Sequence, residues 1–346
     1  MSTAATIERI SILDLRELAG PGDDYLFVGV HGGGRTGWYG PVSALVARCA
    51  SALTDAACER AITDHPALHR ALRVAVADRR DATGSWAIGA VDCAAWDLHA
   101  QLAGVPVARL LAPSADDRVA LYASWLRLDL TNGHAAADVD KVGQDGWLFT
   151  KWGLRRAPGC GAEAEADRLS AGVDLAVSTL GRAAAFDALS TWDLRLARRF
   201  AARVDVSMLH WLEDPLGGLD TPGHQELAAR LPLALGERML VGDDPAAMLA
   251  LRPAAFTLDV IGCGGLTRAV ELITAAHTAA IPAFAHGRSL LPALHLAAAF
   301  PHAMPAVEYQ LQWMPRRQLL YASPRQPIQG HIQLTDAPGL GATPRK

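Results

Sequence analysis

The sequence predicts an α/β fold in which most of the chain forms a (β/α) barrel. Six short apolar segments each end in one ionisable residue, and these residues follow one another at intervals of 22 to 36 positions. One strand, one helix and two loops of such a barrel take about 25 residues, because eight units need roughly 250. From Val119 onward, strand-like and helix-like segments alternate, which is typical of parallel strands covered by helices.

Size and composition allow a large core in one large or two moderate domains. The chain has 346 residues, of which 51% are hydrophobic and 20% are charged. The net charge of −4 provides no electrostatic footprint for nucleic acid. We therefore expect a small-molecule enzyme rather than a nucleic-acid-binding protein.

The sequence also predicts a cytoplasmic protein. Its first 15 residues lack a basic segment followed by an apolar one, so we expect no export signal. The longest stretch without Asp, Glu, Lys or Arg, residues 289–307, contains three prolines, which argues against a membrane span. The five cysteines form no CxxC pair, as is usual for reduced intracellular thiols.

The N-terminal part combines strands with helices. Residues 7–45 have the pattern of strands and turns around a glycine-rich segment, 31–40 (HGGGRTGWYG). That segment lacks the spacing of a phosphate-binding loop, so we predict a mobile flap over the site, with Trp38 or Tyr39 as contacts. Residues 45–112 are rich in Ala and Leu at helical spacing, and the loop at 113–117 is the predicted domain boundary.

The barrel strands follow this boundary in regular order. Helices are predicted between them, for example over 163–180, 192–204 and 266–280. The tail after Ser323 contains one short alternating run, HIQL, and we expect it to return to the N-terminal domain. The predicted strands are residues 119–125, 146–151, 183–187, 208–213, 233–237, 255–259, 282–286 and 306–309.

Three consecutive predicted strands end in carboxylates, namely Asp187, Glu213 and Glu237. The active site of a (β/α) barrel lies at the C-terminal ends of its strands, so these groups should converge. Converging carboxylates repel one another unless a cation lies among them. Mg²⁺ suits a site made of oxygen ligands, and the competing interpretation is three ordinary acids that face solvent.

Three more strand ends carry groups suited to acid–base chemistry. Asp259 ends the strand before His286, and a neighbouring Asp can hold an imidazole in one tautomer and raise its basicity. Lys151 at another strand end can serve as a base if its pKa is lowered, or it can bind a carboxylate. Arg155, four residues later, can only bind anions.

These residues resemble the enolase superfamily in its mandelate racemase-like branch, whose members use a Lys or His base with Mg²⁺. The resemblance rests on the helix over 84–112 and on the motifs WLEDP, LGER, GCGGLTRA, VEY and DAPGLG. It implies that Asp187, Glu213 and Glu237 hold the metal. It also implies an Asp259–His286 dyad, and it matches Glu308 to the acid that the family has on its last strand.

The resemblance implies a modified (β/α)7β TIM-like barrel with an α+β capping domain. We expect the capping domain at 1–115, the barrel at 116–310 and a C-terminal segment at 311–346 that completes the capping domain. Substrate contacts are expected from capping loops near Tyr25, His31 and Trp38. Members of the family usually associate as dimers or octamers, so a homo-oligomer is expected.

Within this branch, Lys151-Trp152 and Arg155 are similar to the KWxxR pattern of acid-sugar dehydratases, including the rhamnonate dehydratase-like group. The segment GWYGP resembles a capping-loop segment of the same members. Gly153 stands where the racemase motif has a second lysine, and Leu189 stands where many members have Asn. Both departures weaken a racemase or cycloisomerase interpretation.

The implied function is an Mg²⁺-dependent dehydratase of a polyhydroxylated carboxylic acid that yields a 2-keto-3-deoxy acid. Lys151, with Arg155, would hold the substrate carboxylate, and a cation would stabilise the enediolate left by loss of the α-proton. His286 could remove that proton, protonate the leaving hydroxyl, or do both. Glu308 would either hydrogen-bond the enediolate when protonated or position His286.

Three other functions are open at this point. A racemase or epimerase would use Lys151 and His286 on opposite faces of the α-carbon. A biosynthetic enzyme would share the enolisation step but act on a carboxylate that is not a sugar acid. A barrel that binds a ligand without catalysis is the third, although all its metal and dyad positions hold competent residues.

Overall fold

The N-terminal region contains an antiparallel three-stranded sheet. The structure, a computed structural model, describes residues 5–20, 24–77, 81–218 and 221–345. The strands of the sheet pair in the order β1-β2-β3, and β2, the central strand, is almost entirely buried. The elements of this region are β1 (Arg9–Asp14), β2 (Leu26–Gly32), β3 (Arg35–Val42), α1 (Ala44–Ser51), α2 (Thr54–Ala57), α3 (His65–Ala75), α4 (Ala82–Ala103) and α5 (Val107–Leu111).

The glycine-rich segment, for which a mobile flap was predicted, forms a β-hairpin. Gly33 and Gly34, both with positive φ, form the turn between β2 and β3. A Cβ atom on Gly37 would lie 2.1 Å from the carbonyl oxygen of Ala94 on α4. The glycine at position 37 therefore allows β3 to pack directly against a helix.

Helix α4 is the central element of the N-terminal domain. Asp81 caps its start by accepting a hydrogen bond from Gly84 N, and Gly104 in the left-handed conformation ends it. The predicted apolar face (Ile88, Val91, Ala95 and Leu98) is fully buried. The opposite side is also buried, because α4 lies between the small sheet and the barrel.

Eight parallel strands form a closed barrel, which confirms the predicted fold class. Closure comes from pairing of the last strand with the first, as in Glu308 opposite Tyr122. Only the second strand differs appreciably from its prediction, since it begins at Thr150 rather than at 146. The strands are β4 (Arg118–Trp125), β5 (Thr150–Gly153), β6 (Ala184–Asp187), β7 (Leu209–Glu213), β8 (Leu233–Leu235), β9 (Ala255–Leu258), β10 (Ala283–Ala285) and β11 (Ala306–Gln310).

Helices cover the outside of the barrel between the strands. Amphipathic segments supply them; in α8, for example, Leu196, Ala197 and Phe200 face the core while arginines face outward. The helices are α6 (Ala135–Gly143), α7 (Ala162–Leu180), α8 (Leu194–Ala201), α9 (Thr221–Ala228), α10 (Ala246–Ala250), α11 (Leu266–Thr278), α12 (Leu290–Ala299) and α13 (Met314–Gln318). Within the described ranges, no helix is long and apolar enough to cross a membrane.

The barrel interior has an aromatic layer beneath a polar one. Tyr122, Phe149, Trp211 and Phe284 pack together inside the barrel, with ring centroids 4.6 to 5.8 Å apart, surrounded by alanines. Inward-facing positions on a strand recur every two residues. The residues two positions further along these strands therefore form the next layer, and they include Lys151 and Glu213.

The C-terminal segment packs on both domains. Strand β12 (His331–Gln333), which contains the predicted HIQL run, pairs antiparallel with barrel strand β4. Further along, Gly339 exchanges backbone hydrogen bonds with Val105 and Val107 in the N-terminal domain. The C-terminal segment thus first pairs with the barrel and then reaches the N-terminal domain, as expected.

Two buried aspartates on α4 connect these parts. Asp92 accepts hydrogen bonds from the backbone N and the hydroxyl of Thr267, at the start of α11, at 2.9 and 2.6 Å. Asp97 accepts from Trp38 N at 2.8 Å and from Leu340 N at 2.5 Å. Burial raises the pKa of Asp92 to about 7 and that of Asp97 to about 6.

Candidate active site

The three predicted metal ligands converge at the C-terminal end of the barrel. Asp187 and Glu213 are the last residues of β6 and β7, and Glu237 lies two residues after β8. One carboxylate oxygen from each lies within 4.8 Å of the others. Asp187 and Glu213 are buried, whereas the Glu237 side chain is 34% exposed, so the cluster is open on the Glu237 side.

Lys151 projects into the same cluster from β5. Its Nζ lies 2.7 Å from Glu213 Oε2, 3.0 Å from Glu308 Oε1 and 3.5 Å from Asp187 Oδ2, and the side chain is fully buried. Burial opposes the charge, but Glu213 and Glu308 outweigh it and hold the pKa of Lys151 well above its ordinary value. These contacts place Lys151 as a cationic partner of the carboxylates in the cluster.

The carboxylates suit a divalent cation. Burial, together with the neighbouring acids, raises the pKa of Glu213 to about 8 and that of Asp187 to about 6, although Lys151 acts in the opposite direction. Glu213 Oε1 is buried and has no hydrogen-bond partner in the described part of the chain. An orphaned carboxylate oxygen among three converging acids fits an oxygen-ligated metal such as Mg²⁺.

His286 stands beside this cluster, one residue after β10. Its Nδ1 faces Asp259 Oδ2 at 3.8 Å, and its Nε2 lies 3.4 Å from Glu237 Oε1. The side-chain nitrogen of Gln310 lies 3.0 Å from Nε2. Burial lowers the pKa of His286, but Glu237, Glu308 and Asp259 outweigh burial and raise it above the ordinary value.

Glu308 is a buried, ionised acid. Its Oε2 accepts from Gly287 N at 2.6 Å and lies 3.9 Å from His286 Nε2. Burial raises the pKa of Glu308, but Lys151 and His286 outweigh it and lower that pKa to about 2. Of the two roles considered for Glu308, this geometry favours positioning His286 over donating a proton.

Two side chains of the site were missed from the sequence. Gln310 contacts His286 and Glu308, and Ser289 donates to Asp259 Oδ1 at 2.8 Å. Gln310 could have been found, because it lies two residues after Glu308 and so faces the same side of the strand. Ser289 follows the strand in a short 3-10 turn, where no periodicity marks it.

Three of the predicted substrate contacts, Arg155, His31 and Trp38, have their described neighbours outside the carboxylate cluster. Arg155 is exposed and lines a cavity of about 480 Å³ between the loops that follow β4 and β5. His31 hydrogen-bonds Ser11 and Thr36 within its own sheet, and the Trp38 ring lies 6.3 Å from His31.

Two further predicted contacts lie elsewhere in the N-terminal domain. The Tyr25 ring stacks under Arg16, on the loop after β1. Tyr39 is buried, and its hydroxyl donates to Ser289 at 3.3 Å. Of the five predicted contact residues, Tyr39 is thus the one that the described hydrogen bonds connect to the dyad.

Gly153 is packed so tightly that no side chain fits there. It pairs with Asp187 on the neighbouring strand, and a Cβ atom would lie 2.2 Å from the carbonyl oxygen of Leu126. The other departure, Leu189, has positive φ, and its backbone N donates to Asp187 Oδ1 at 2.8 Å. The backbone at 189 thus orients the first carboxylate without an Asn side chain.

Family models match both parts of the chain. Residues 136–346 match the enolase C-terminal domain-like family, and residues 27–112 match the N-terminal domain of mandelate racemase and muconate lactonizing enzyme. Together these matches cover seven of the eight barrel strands, all but β4, and most of the N-terminal domain.

Individual relatives agree with these family matches. The L-talarate/galactarate dehydratase of Salmonella typhimurium is 27% identical over an alignment of 273 residues, and the match covers 74% of this chain and 63% of that protein. A mandelate racemase/muconate lactonizing enzyme-like protein from Rubrobacter xylanophilus has a TM-score of 0.84 at 22% identity, covering 98% of this chain and 95% of its own.

A Bradyrhizobium enolase solved with magnesium and mandelic acid has a TM-score of 0.79 at 21% identity, covering 100% of this chain and 97% of its own. At this identity the structural matches show a shared fold. With the family models matching both domains, this chain belongs to the enolase superfamily, in its mandelate racemase and muconate lactonizing enzyme branch.

Proposed function

We propose that this protein is an Mg²⁺-dependent dehydratase of a sugar acid. The observation that carries the proposal is the contrast between its two candidate bases. Lys151 is buried and paired with carboxylates, while His286 lies beside Glu237 on the open side of the cluster. A single accessible base suits removal of a proton and of a leaving group from one face.

Asp187, Glu213 and Glu237 would hold the metal. When bound, Mg²⁺ supplies positive charge close to the substrate carboxylate, where loss of the α-proton builds negative charge. The Lys151 ammonium adds a second positive charge from beneath the same cluster. The buried site strengthens both effects, since it excludes water.

His286 moves the proton in this proposal. Its Nε2 takes the α-proton, and Asp259 beside Nδ1 stabilises the imidazolium that forms. The imidazolium then gives its Nε2 proton to the β-hydroxyl, which leaves as water. The resulting enol has lost one water relative to the substrate and tautomerises to a 2-keto-3-deoxy acid.

The packing argues against the racemase alternative. Inversion at the α-carbon needs a second base on the opposite face, and Gly153 occupies the position of the lysine that would supply it. The close approach of Leu126 leaves no room for a side chain there. Lys151 cannot take over this role while three carboxylates hold its proton.

The substrate class is supported by one relative. The Salmonella protein matched above is named for dehydration of talarate and galactarate, which are acid sugars. This chain spans 63% of that relative's length, and we propose an acid sugar as its substrate on the basis of this similarity. We assign substrate discrimination to the capping domain at 1–115, catalysis to the barrel at 116–310, and completion of the capping domain to residues 311–346.

A screen of acid sugars tests the proposal. The purified protein with Mg²⁺ is incubated with a library of mono- and diacid sugars, and 2-keto acid is detected with semicarbazide. We expect product with at least one sugar acid and its loss in His286→Asn. His302→Asn, at an exposed histidine outside the site, is the matched control.

Two outcomes would contradict the proposal. One is full turnover in His286→Asn or in Glu213→Gln, which would remove the assigned base or a metal ligand from the mechanism. The other is exchange of the α-proton for deuterium with inversion and no loss of water. That result would show racemisation.

A further inference from the structure

A chain of buried hydroxyl groups leads from the N-terminal sheet to the dyad. The Tyr39 hydroxyl on β3 donates to Ser289 Oγ at 3.3 Å, and Ser289 Oγ donates to Asp259 Oδ1 at 2.8 Å. All three residues are at most 3% exposed. Tyr39 and Ser289 are 250 residues apart, so the chain joins the capping domain to the barrel.

These contacts decide which oxygen of Asp259 faces His286. Oδ1 accepts from Ser289 Oγ and also from Ile261 N at 3.1 Å. Oδ2 then lies on the side of His286 Nδ1, at 3.8 Å. A carboxylate held through one oxygen cannot rotate without breaking those hydrogen bonds, so the other oxygen keeps its direction.

The distance to His286 makes this restraint important. At 3.8 Å the Asp259–His286 contact is longer than a hydrogen bond, so it does not fix the carboxylate by itself. The orientation must come from the other side of Asp259. Ser289 supplies it directly, and Tyr39 holds the Ser289 hydroxyl so that its proton faces Asp259.

We propose that Ser289 and Tyr39 are positioning residues that aim Asp259 at His286 and so couple the acid–base group to the seating of the capping domain. The proposal rests on the assignment of His286 as the acid/base. Neither residue touches the reacting atoms. Tyr39, which the sequence suggested as a substrate contact, would act through Ser289 and Asp259 instead.

Kinetics of matched variants provide the first test. We expect kcat to fall about 10- to 100-fold in Ser289→Ala and by a smaller factor, about threefold or more, in Tyr39→Phe, as for other residues that orient a catalytic group. We expect KM to stay within about twofold, because the substrate contacts are kept. With α-deuterated substrate, the isotope effect on kcat should increase in both variants, since proton removal becomes slower.

Tyr321→Phe is the matched control. The Tyr321 hydroxyl is also buried and also crosses to β3, where it donates to the carbonyl oxygen of Gly40, next to Tyr39. It has no part in the chain that leads to Asp259. Loss of a buried hydroxyl at this position should lower stability by a similar amount but leave kcat and the isotope effect unchanged.

A substrate-free measurement separates this proposal from the proposed function. In ¹⁵N-histidine-labelled protein, the signals of His286, assigned by their absence in His286→Asn, report which ring nitrogen carries the proton. At alkaline pH, where the ring is neutral, we expect an Nδ1–H tautomer in the unmodified protein and in Tyr321→Phe. In Ser289→Ala that preference should weaken.

An unchanged tautomer in Ser289→Ala would overturn the positioning role, whatever substrate the enzyme takes. Equal losses of kcat in Tyr39→Phe and Tyr321→Phe would overturn the part assigned to Tyr39. If no acid sugar reacts but the tautomer shifts in Ser289→Ala, the substrate class is wrong and the positioning role stands. Ser289→Thr, which keeps the hydroxyl, should restore the tautomer if it folds.

Discussion

Binding of Mg²⁺ should release a proton from the carboxylate cluster at neutral pH. The pKa of Glu213 is raised to about 8 and that of Asp187 to about 6, chiefly by burial. These raised pKa values indicate that the metal-free cluster as a whole retains up to about one proton at neutral pH. A metal ligand must be ionised, so the cation has to displace about one proton.

The sign and size of the pH dependence follow from these values. Raised carboxyl pKa values weaken metal binding as the pH falls, because protons then compete for the oxygens. Below about pH 8, the apparent affinity should rise by about tenfold, or about 1.4 kcal/mol, per pH unit for each proton that the cation displaces. Above about pH 9 it should be constant.

Calorimetry measures both quantities. Mg²⁺ is titrated into the metal-free protein at pH 7 in two buffers that differ in ionisation enthalpy, and the difference in observed heat gives the number of protons released. We expect about one. Glu213→Gln, which has no proton to lose at this position, should release far less. A release near zero in the unmodified protein, with an affinity that is constant from pH 6 to pH 8, would refute the reasoning.

Three further substitutions test the packing around the site. Gly153→Ala should lower the free energy of unfolding by about 1–3 kcal/mol in urea denaturation, because its Cβ would overlap the carbonyl oxygen of Leu126; an unchanged midpoint would contradict this. Lys151→Met should lower the free energy of unfolding of the metal-free protein by about 3–5 kcal/mol, because it leaves buried carboxylates without their cation. Mg²⁺ should then raise the Tm of this variant more than that of the unmodified protein. An equal rise in Tm in both proteins would count against this role. Asp97→Ala should cost about 1–3 kcal/mol for each buried donor that it strands, including Leu340 N, and a denaturation midpoint equal to that of the unmodified protein would exclude this role.

The barrel and its polar cluster could be predicted because both depend on short periods. Each strand is a brief apolar run, and the residue at or just after its end lies at the active-site face. Asp187, Glu213 and His286 follow that rule, so their positions in the chain were enough to group them. The small sheet was also predictable from its alternating residues.

Other features depend on close contacts between distant segments, which a single sequence does not reveal. The glycines of the hairpin looked like a source of mobility, whereas Gly37 is required by the nearness of Ala94. Ser289 can be recognised as a site residue only from its hydrogen bonds to Asp259 and Tyr39 in the folded protein. Arg155, predicted from its similarity to a motif, lines a cavity between the loops that follow β4 and β5.

The two aspartates of α4 have a consequence for the order in which the protein is made. Their partners Thr267 and Leu340 lie 175 and 243 residues further along the chain. A ribosome therefore completes α4 long before it has made Thr267, which satisfies Asp92, and Leu340, which completes the hydrogen bonds of Asp97. The N-terminal domain thus leaves the ribosome before the barrel, but its hydrogen bond to Leu340 forms only after the barrel has emerged.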